Sequence, residues 1–295
     1  MSRQDHPATQ QDVSPNNPSR RDFVALSAAA GLAAGSGAIR GAEVNVIEQD
    51  VVVKTADGSS DAAFIHPASG AHPGVLLWTD AFGLRPSMRA MGKRLAAEGY
   101  AVLIPNPYYR SSKAPQFESA ANVDFARDRS KFQPLMEALN QPGHVESDAK
   151  AYVAWLDTQK AVNKKKKVGT QGYCMGGALA FRTAATVSDR VGAVGTFHGG
   201  GLVTDKPDSP HLLAPSIKAR LYIAIASNDD QKQPDAKDKL KEAFGSVAEI
   251  EVYSQDQHGW CVSDMPTQNG QPIYNQADAD RAWGKLLALY KGALS

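Results

Sequence analysis

Residues 169–181 read GTQGYCMGGALAF. A short apolar run, Val168 to Gly172, leads into this stretch, and a helical pattern from Gly176 to Val187 leads out of it. A strand turning sharply into a helix, with glycine two residues before and two after the corner, has the spacing of a nucleophile elbow, G-x-S-x-G. Here Cys174 stands where serine usually stands. The corner residue occupies a strained turn, so its second neighbours must lack side chains, a need that Gly172 and Gly176 meet. A helix beginning at this point aims backbone N–H groups and the positive end of its dipole at the sulfur, which favours a thiolate. A cysteine without such surroundings is more commonly a small buried hydrophobe.

Outward from the elbow, apolar runs alternate with helical patterns, the signature of strands joined by crossover helices. On the N-terminal side, Val51 to Lys54 and Ala62 to His66 are expected to form a hairpin across Asp57-Gly58. Gly74 to Thr79 and Tyr100 to Pro105 read as buried strands with a helix from Pro86 to Glu98 between them. The more polar stretch from Tyr108 to Gly143 interrupts the rhythm and is a candidate cap or substrate loop. A helix from Glu146 to Gln159 follows, and Lys164 to Lys167 form a solvated entrance to the elbow strand. On the C-terminal side the pattern predicts strands at 191–197, 221–226 and 248–253, and helices at 235–244 and 278–291. The fold class implied is α/β: a doubly wound, mostly parallel sheet with helices on both faces.

Ligands in such sheets bind beyond the carboxyl ends of the strands. Cys174 follows one strand, Asp229 and Asp230 follow LYIAIASN, and His258 follows EIEVYSQ. Nucleophile, acid, histidine is the chain order of α/β-hydrolases. His258 is placed to take the thiol proton and an aspartate to hold the imidazole's tautomer. His198, in GTFHGG, also follows a strand and is expected to cap or face solvent, with lining the pocket as its alternative. Cys174 and Cys261 are the two cysteines, too few for a disulfide framework. Metal-ligand spacings such as C-x-x-C or H-E-x-x-H are missing, as is a phosphate-binding G-x-x-x-x-G-K-[ST], so neither metal nor cofactor is expected.

The 32 basic and 31 acidic residues leave a net charge of +1, with 42% hydrophobic content over 295 residues. That balance suits an ordinary globular domain and gives no reason to expect a nucleic-acid partner. The first residues differ in kind. Ser19-Arg20-Arg21-Asp22-Phe23-Val24-Ala25-Leu26 precedes SAAAGLAAGSGA, and the pair of arginines before a mild Ala/Gly run resembles a twin-arginine export signal. Residues 1–42 are read as signal peptide and linker, cleaved after Ala38, and residues 43–295 as the working domain. The apolar run is too short to span a membrane permanently. Residues 19–26 would be read by the Tat export machinery, making the protein periplasmic or secreted.

Several motifs together resemble the dienelactone hydrolase family, a cysteine branch of the α/β-hydrolases, over residues 45 to 294. They are GYCMGGALAF, DAFGLRPSMRAMGKRLAAEGYAVLIPNPYYR and the HGW around His258. The resemblance implies Cys174 as nucleophile, Asp229, preferred to Asp230 by its distance from the strand, as acid, and His258 as base. It implies an oxyanion hole from the N–H groups of Ala81 and Met175. Asp80 stands where the family has a glutamate that contacts the thiol, so it is read either as tuning the thiol or as capping the following helix. Phe82, Tyr108 and Trp260 are candidate pocket residues, Trp260 with core packing as its alternative. Where the family has an arginine for a substrate carboxylate, this chain has Val262, and Arg110, Arg127 and Arg129 are read as surface residues, with replacement of that arginine as their alternative. The activity implied is hydrolysis of ester or lactone bonds in a small molecule through a thioacyl-enzyme. The alternatives are a thioesterase, a thiol redox switch using Cys261, or a non-catalytic binding protein.

Overall fold

The computed structural model describes residues 44–124 and 127–294. The reading of residues 1–42 as an export leader lies outside them. Strands β1 (Val46–Thr55) and β2 (Gly58–Pro67) form the expected hairpin, paired from Thr55 with Gly58 to Val46 with Pro67. β3 (Gly74–Trp78), α1 (Pro86–Ala97) and β4 (Ala101–Pro105) follow. α2 (Arg129–Leu139) and a 3-10 turn at Ala120–Asn122 lie in the interrupting segment, and α3 (His144–Thr158) closes it. Then come β5 (Val168–Tyr173), α4 (Met175–Thr186), β6 (Val191–Phe197), β7 (Arg220–Ala226), α5 (Ser227–Lys232), α6 (Ala236–Phe244), β8 (Ala248–Tyr253) and α7 (Gln276–Ala293).

The eight strands form one sheet in the order β1-β2-β4-β3-β5-β6-β7-β8, antiparallel at the hairpin edge and parallel from β4 onward. Every residue of β3, β4 and β5 is buried, as strands covered on both faces require. Because successive side chains point to opposite faces, Leu76 and Trp78 join one core with Tyr152 of α3 and Phe181 of α4, while Val75 and Leu77 join the other with Met88 of α1 and Leu286 of α7. Among the described residues no helix is long and apolar enough to cross a membrane.

The fold therefore agrees with the doubly wound α/β reading, with two additions. α2 carries Pro134 in its interior, which weakens the helical signal of its stretch. α5, of six residues, sits between β7 and α6 where a loop was expected.

Candidate active site

Cys174 occupies the corner between β5 and α4 with φ 52° and ψ −118°, a strained conformation for a residue with a side chain. The turn survives because its neighbours are glycines. A Cβ on Gly172 would lie 1.9 Å from the carbonyl oxygen of Gly176, and one on Gly176 would lie 2.4 Å from that of Thr79. Backbone bonds hold the corner in place: the Cys174 N–H donates to the Phe197 carbonyl at 3.1 Å, and the Cys174 carbonyl accepts from Gly177 at 3.1 Å and Gly200 at 3.0 Å. Met175 is the first residue of α4, so its N–H has no acceptor within the helix.

His258 comes from the loop after β8, and Asp229 from the first turn of α5. Asp229 Oδ2 accepts from His258 Nδ1 at 2.6 Å, and Asn228 Oδ1 accepts the backbone N–H of His258 at 2.8 Å. Asp230, the other aspartate of the pair, turns instead to Lys237 at 2.7 Å. Burial works against a charged His258, but hydrogen bonds to Asp229 and Cys174 and the charge of both outweigh it and push the imidazole up to about 10. The thiol at the β5–α4 corner, the imidazole beyond β8 and the carboxylate at the start of α5 thus gather at the carboxyl end of the sheet.

Ala81 is buried in the loop between β3 and α1. Tyr108 fixes it: the phenol donates to the Ala81 carbonyl at 2.9 Å and lies 3.5 Å from the Met175 sulfur. Burial pushes the Tyr108 phenol up, so its hydroxyl stays a donor. Phe82 packs in a cluster with Phe117 and Phe132, at ring distances of 6.2 and 5.7 Å. Trp260 is wholly buried, stacked on Tyr253 at 4.7 Å, which places it in the core.

Both oxygens of Asp80 are occupied by Arg85, at 2.6 and 2.9 Å, and Oδ1 also accepts the Phe82 N–H at 2.9 Å. The residue at the N-cap of α1 is Arg85 itself. Burial pushes the Asp80 carboxyl up in spite of the guanidinium. Arg110 is not a free surface cation: it bonds Asp148 at 2.7 Å and Asp57. Arg127 is exposed beside Asp128.

His198 departs from its surface reading. It is 1% exposed, with φ 40°, and both ring nitrogens lack a hydrogen-bond partner. Its ring meets His258 edge to face at 4.7 Å and Trp260 at 5.4 Å. Burial first, and then the charge of His258, push it well below the ordinary histidine range. It is a neutral ring on which the His258 imidazole rests. Cys261 lines a cavity of about 160 Å³ with Tyr173, Phe197 and Trp283. Burial pushes its thiol up, which makes it a poor partner for thiol exchange.

A mostly parallel sheet flanked by helices, with a thiol on its strand-to-helix elbow and a carboxylate-bound imidazole beyond a later strand, defines a hydrolase of the α/β-hydrolase fold. A model of the Dienelactone hydrolase family matches residues 61–294, and the chain belongs to that family. It is similar to the carboxymethylenebutenolidase of Pseudomonas putida, 26% identical over 216 residues that cover 72% of this chain and 85% of that one. Carboxymethylenebutenolidase 1 of Cupriavidus pinatubonensis is 25% identical over 247 residues, covering 83% and 97%. The fold matches a dienelactone hydrolase-like promiscuous phosphotriesterase from metagenomic libraries, with TM-score 0.67 at 21% identity over 85% of this chain and 99% of that one. It also matches a dienelactone hydrolase from Anabaena variabilis, with TM-score 0.58 at 17% identity over 85% and 99%.

Proposed function

We propose that the enzyme hydrolyses ester or lactone bonds of a small molecule through Cys174, His258 and Asp229. The sulfur, deprotonated by His258, attacks the carbonyl carbon, and the oxyanion accepts hydrogen bonds from the N–H groups of Met175 and Ala81. His258, held by Asp229, returns the proton to the departing alkoxide, leaving a thioester on Cys174. Water then attacks the thioester, His258 takes its proton, and the sulfur leaves with the acid released. What supports this reading most is the 2.6 Å bond from His258 Nδ1 to Asp229, on an imidazole whose proton affinity the neighbouring Cys174 raises. That bond fixes the tautomer a general base needs.

The test is steady-state hydrolysis of 4-nitrophenyl esters, a neutral lactone and a thioester. Cys174→Ala should lower kcat/KM by about 10³-fold or more, and Asp229→Asn by about 10²- to 10⁴-fold. Turnover by Cys174→Ala at the wild-type rate would sink the proposal. Relative rates across the three substrates assign the preferred bond.

We also infer export through the Tat machinery by residues 19–26, with residues 1–42 as a removable leader and residues 43–295 as the hydrolase domain. The support is Arg20-Arg21 ahead of the Ala/Gly run. Replacing both arginines by lysine should retain the protein in the cytoplasmic fraction, and unchanged export would remove the inference.

A further inference from the structure

The Arg85 side chain is fully buried, where a cation requires partners. All five of its N–H donors are used. Nε donates to Asp264 Oδ2 at 2.8 Å. Nη1 donates to Asp80 Oδ1 at 2.6 Å and to the Gly83 carbonyl at 3.3 Å. Nη2 donates to Asp80 Oδ2 at 2.9 Å and Asp264 Oδ1 at 2.8 Å. The two carboxylates belong to different parts of the site. Asp80 precedes Ala81, and its bond to the Phe82 N–H grips the loop on the far side of that residue. Asp264 lies six residues beyond His258, and its Oδ2 accepts the N–H of Ala120, in the 3-10 turn of the segment between β4 and α3. One guanidinium therefore ties together the Ala81 loop, the His258 loop and that segment.

We propose that Arg85 is a positioning residue: it sets the Ala81 N–H in register with His258 and seats the Ala120 segment against both. The proposal rests on the roles given above to Ala81 and His258. A forked arginine near a nucleophile invites another reading, as receptor for a substrate carboxylate. Its occupancy argues against that. Taking up an anion would mean releasing Asp80 or Asp264, and with two carboxylates on one guanidinium the cluster is already net negative. The Phe82 ring covers the cluster, its centroid 5.2 Å from the guanidinium carbon. Esters with an uncharged acyl group are the class this arrangement accepts.

The experiment compares wild type, Arg85→Lys and Asp264→Asn on two 4-nitrophenyl esters, the neutral butyrate and the hemisuccinate with its free carboxylate. Arg85→Lys keeps the charge and loses the fork, and loosening the loop by about 1 Å should lower kcat by about 10- to 100-fold on both esters, with KM nearly unchanged. Alkylation of Cys174 by iodoacetamide, which needs no oxyanion donor, should stay within about threefold of wild type. Asp264→Asn keeps an acceptor for Arg85 and removes one charge from the cluster, so it should fold and show a smaller loss in the same direction. A loss confined to the hemisuccinate, carried by KM, would make Arg85 a receptor and overturn the proposal. Unchanged kcat in both variants would overturn it as well. Absence of turnover and of Cys174 acylation in the wild type would instead overturn the hydrolase reading on which the proposal stands.

Discussion

Gly176→Ala tests whether the elbow and the Ala81 loop are set by backbone contact. The added Cβ would lie 2.4 Å from the Thr79 carbonyl oxygen and 2.7 Å from that of Trp78, both rigid backbone atoms. An ordinary carbon–oxygen contact of about 3.3 Å requires α4 and the end of β3 to separate by roughly 0.6–0.9 Å. Overpacking of that size should cost about 1–3 kcal/mol of stability. The same movement carries the Met175 N–H away from the Ala81 N–H, because Thr79 leads directly into Asp80 and Ala81. A misplacement near 1 Å at the reacting centre should lower kcat by about 10²-fold, or ~2.7 kcal/mol of barrier. Gly284→Ala is the control: nothing lies within 4 Å of its Cβ, and in α7 the change should add ~0.5–1 kcal/mol without touching kcat. Urea unfolding followed by tryptophan fluorescence and kcat on 4-nitrophenyl butyrate measure both effects. A folded Gly176→Ala enzyme with kcat within about threefold of wild type would refute the packing argument.

Three further outcomes follow from the site's charges and packing. The His258 imidazole should titrate near 10 and fall toward the ordinary histidine range in Cys174→Ala, read by NMR of the ring protons. Because its folded pKa is raised, its stabilising contribution is complete below about 6.5 and disappears as pH rises through about 10, so the variant should lose that part of the alkaline decline. Equal titration in both proteins would show that Cys174 exerts no charge on the ring. Burial, offset in part by Asn275 and reinforced by Asp278, pushes Asp256 up to about 6. The native state then holds a proton that the unfolded chain has shed, so Asp256 should reduce stability as pH rises from about 4 to about 6, by ~1–2 kcal/mol, a slope that Asp256→Asn should remove in urea titrations. His198→Phe should keep kcat within about threefold by preserving a neutral ring under His258, whereas His198→Ala should lower kcat about tenfold and stability by ~2–4 kcal/mol. Loss of activity in the phenylalanine variant equal to that in the alanine variant would mean that a ring nitrogen is required.

Periodicity and the elbow glycines made the sheet and the corner at Cys174 legible, because both are local: buried strands are continuous apolar runs, and a strained turn demands small neighbours. The choice between Asp229 and Asp230 was not local. Adjacent residues on α5 point about 100° apart, so one meets His258 and the other Lys237. His198 follows a strand, as surface and site residues both do, and only the packing of Trp260 and His258 over it shows it buried. The Arg85 cluster was hidden for a similar reason: its partners Asp80 and Asp264 lie 5 and 179 residues away, and charge pairing leaves no periodic trace. Pro134 inside α2 and the brevity of α5 masked two helices.

Whether Cys174 accepts the acyl group is answered most directly by intact-protein mass spectrometry within the first turnovers of a slowly hydrolysed 4-nitrophenyl ester. The account predicts a mass increase of one acyl group, mapped to the peptide containing Cys174, which decays as the acid appears and is missing from Cys174→Ala. Turnover without that adduct, undiminished in Cys174→Ala, would contradict it.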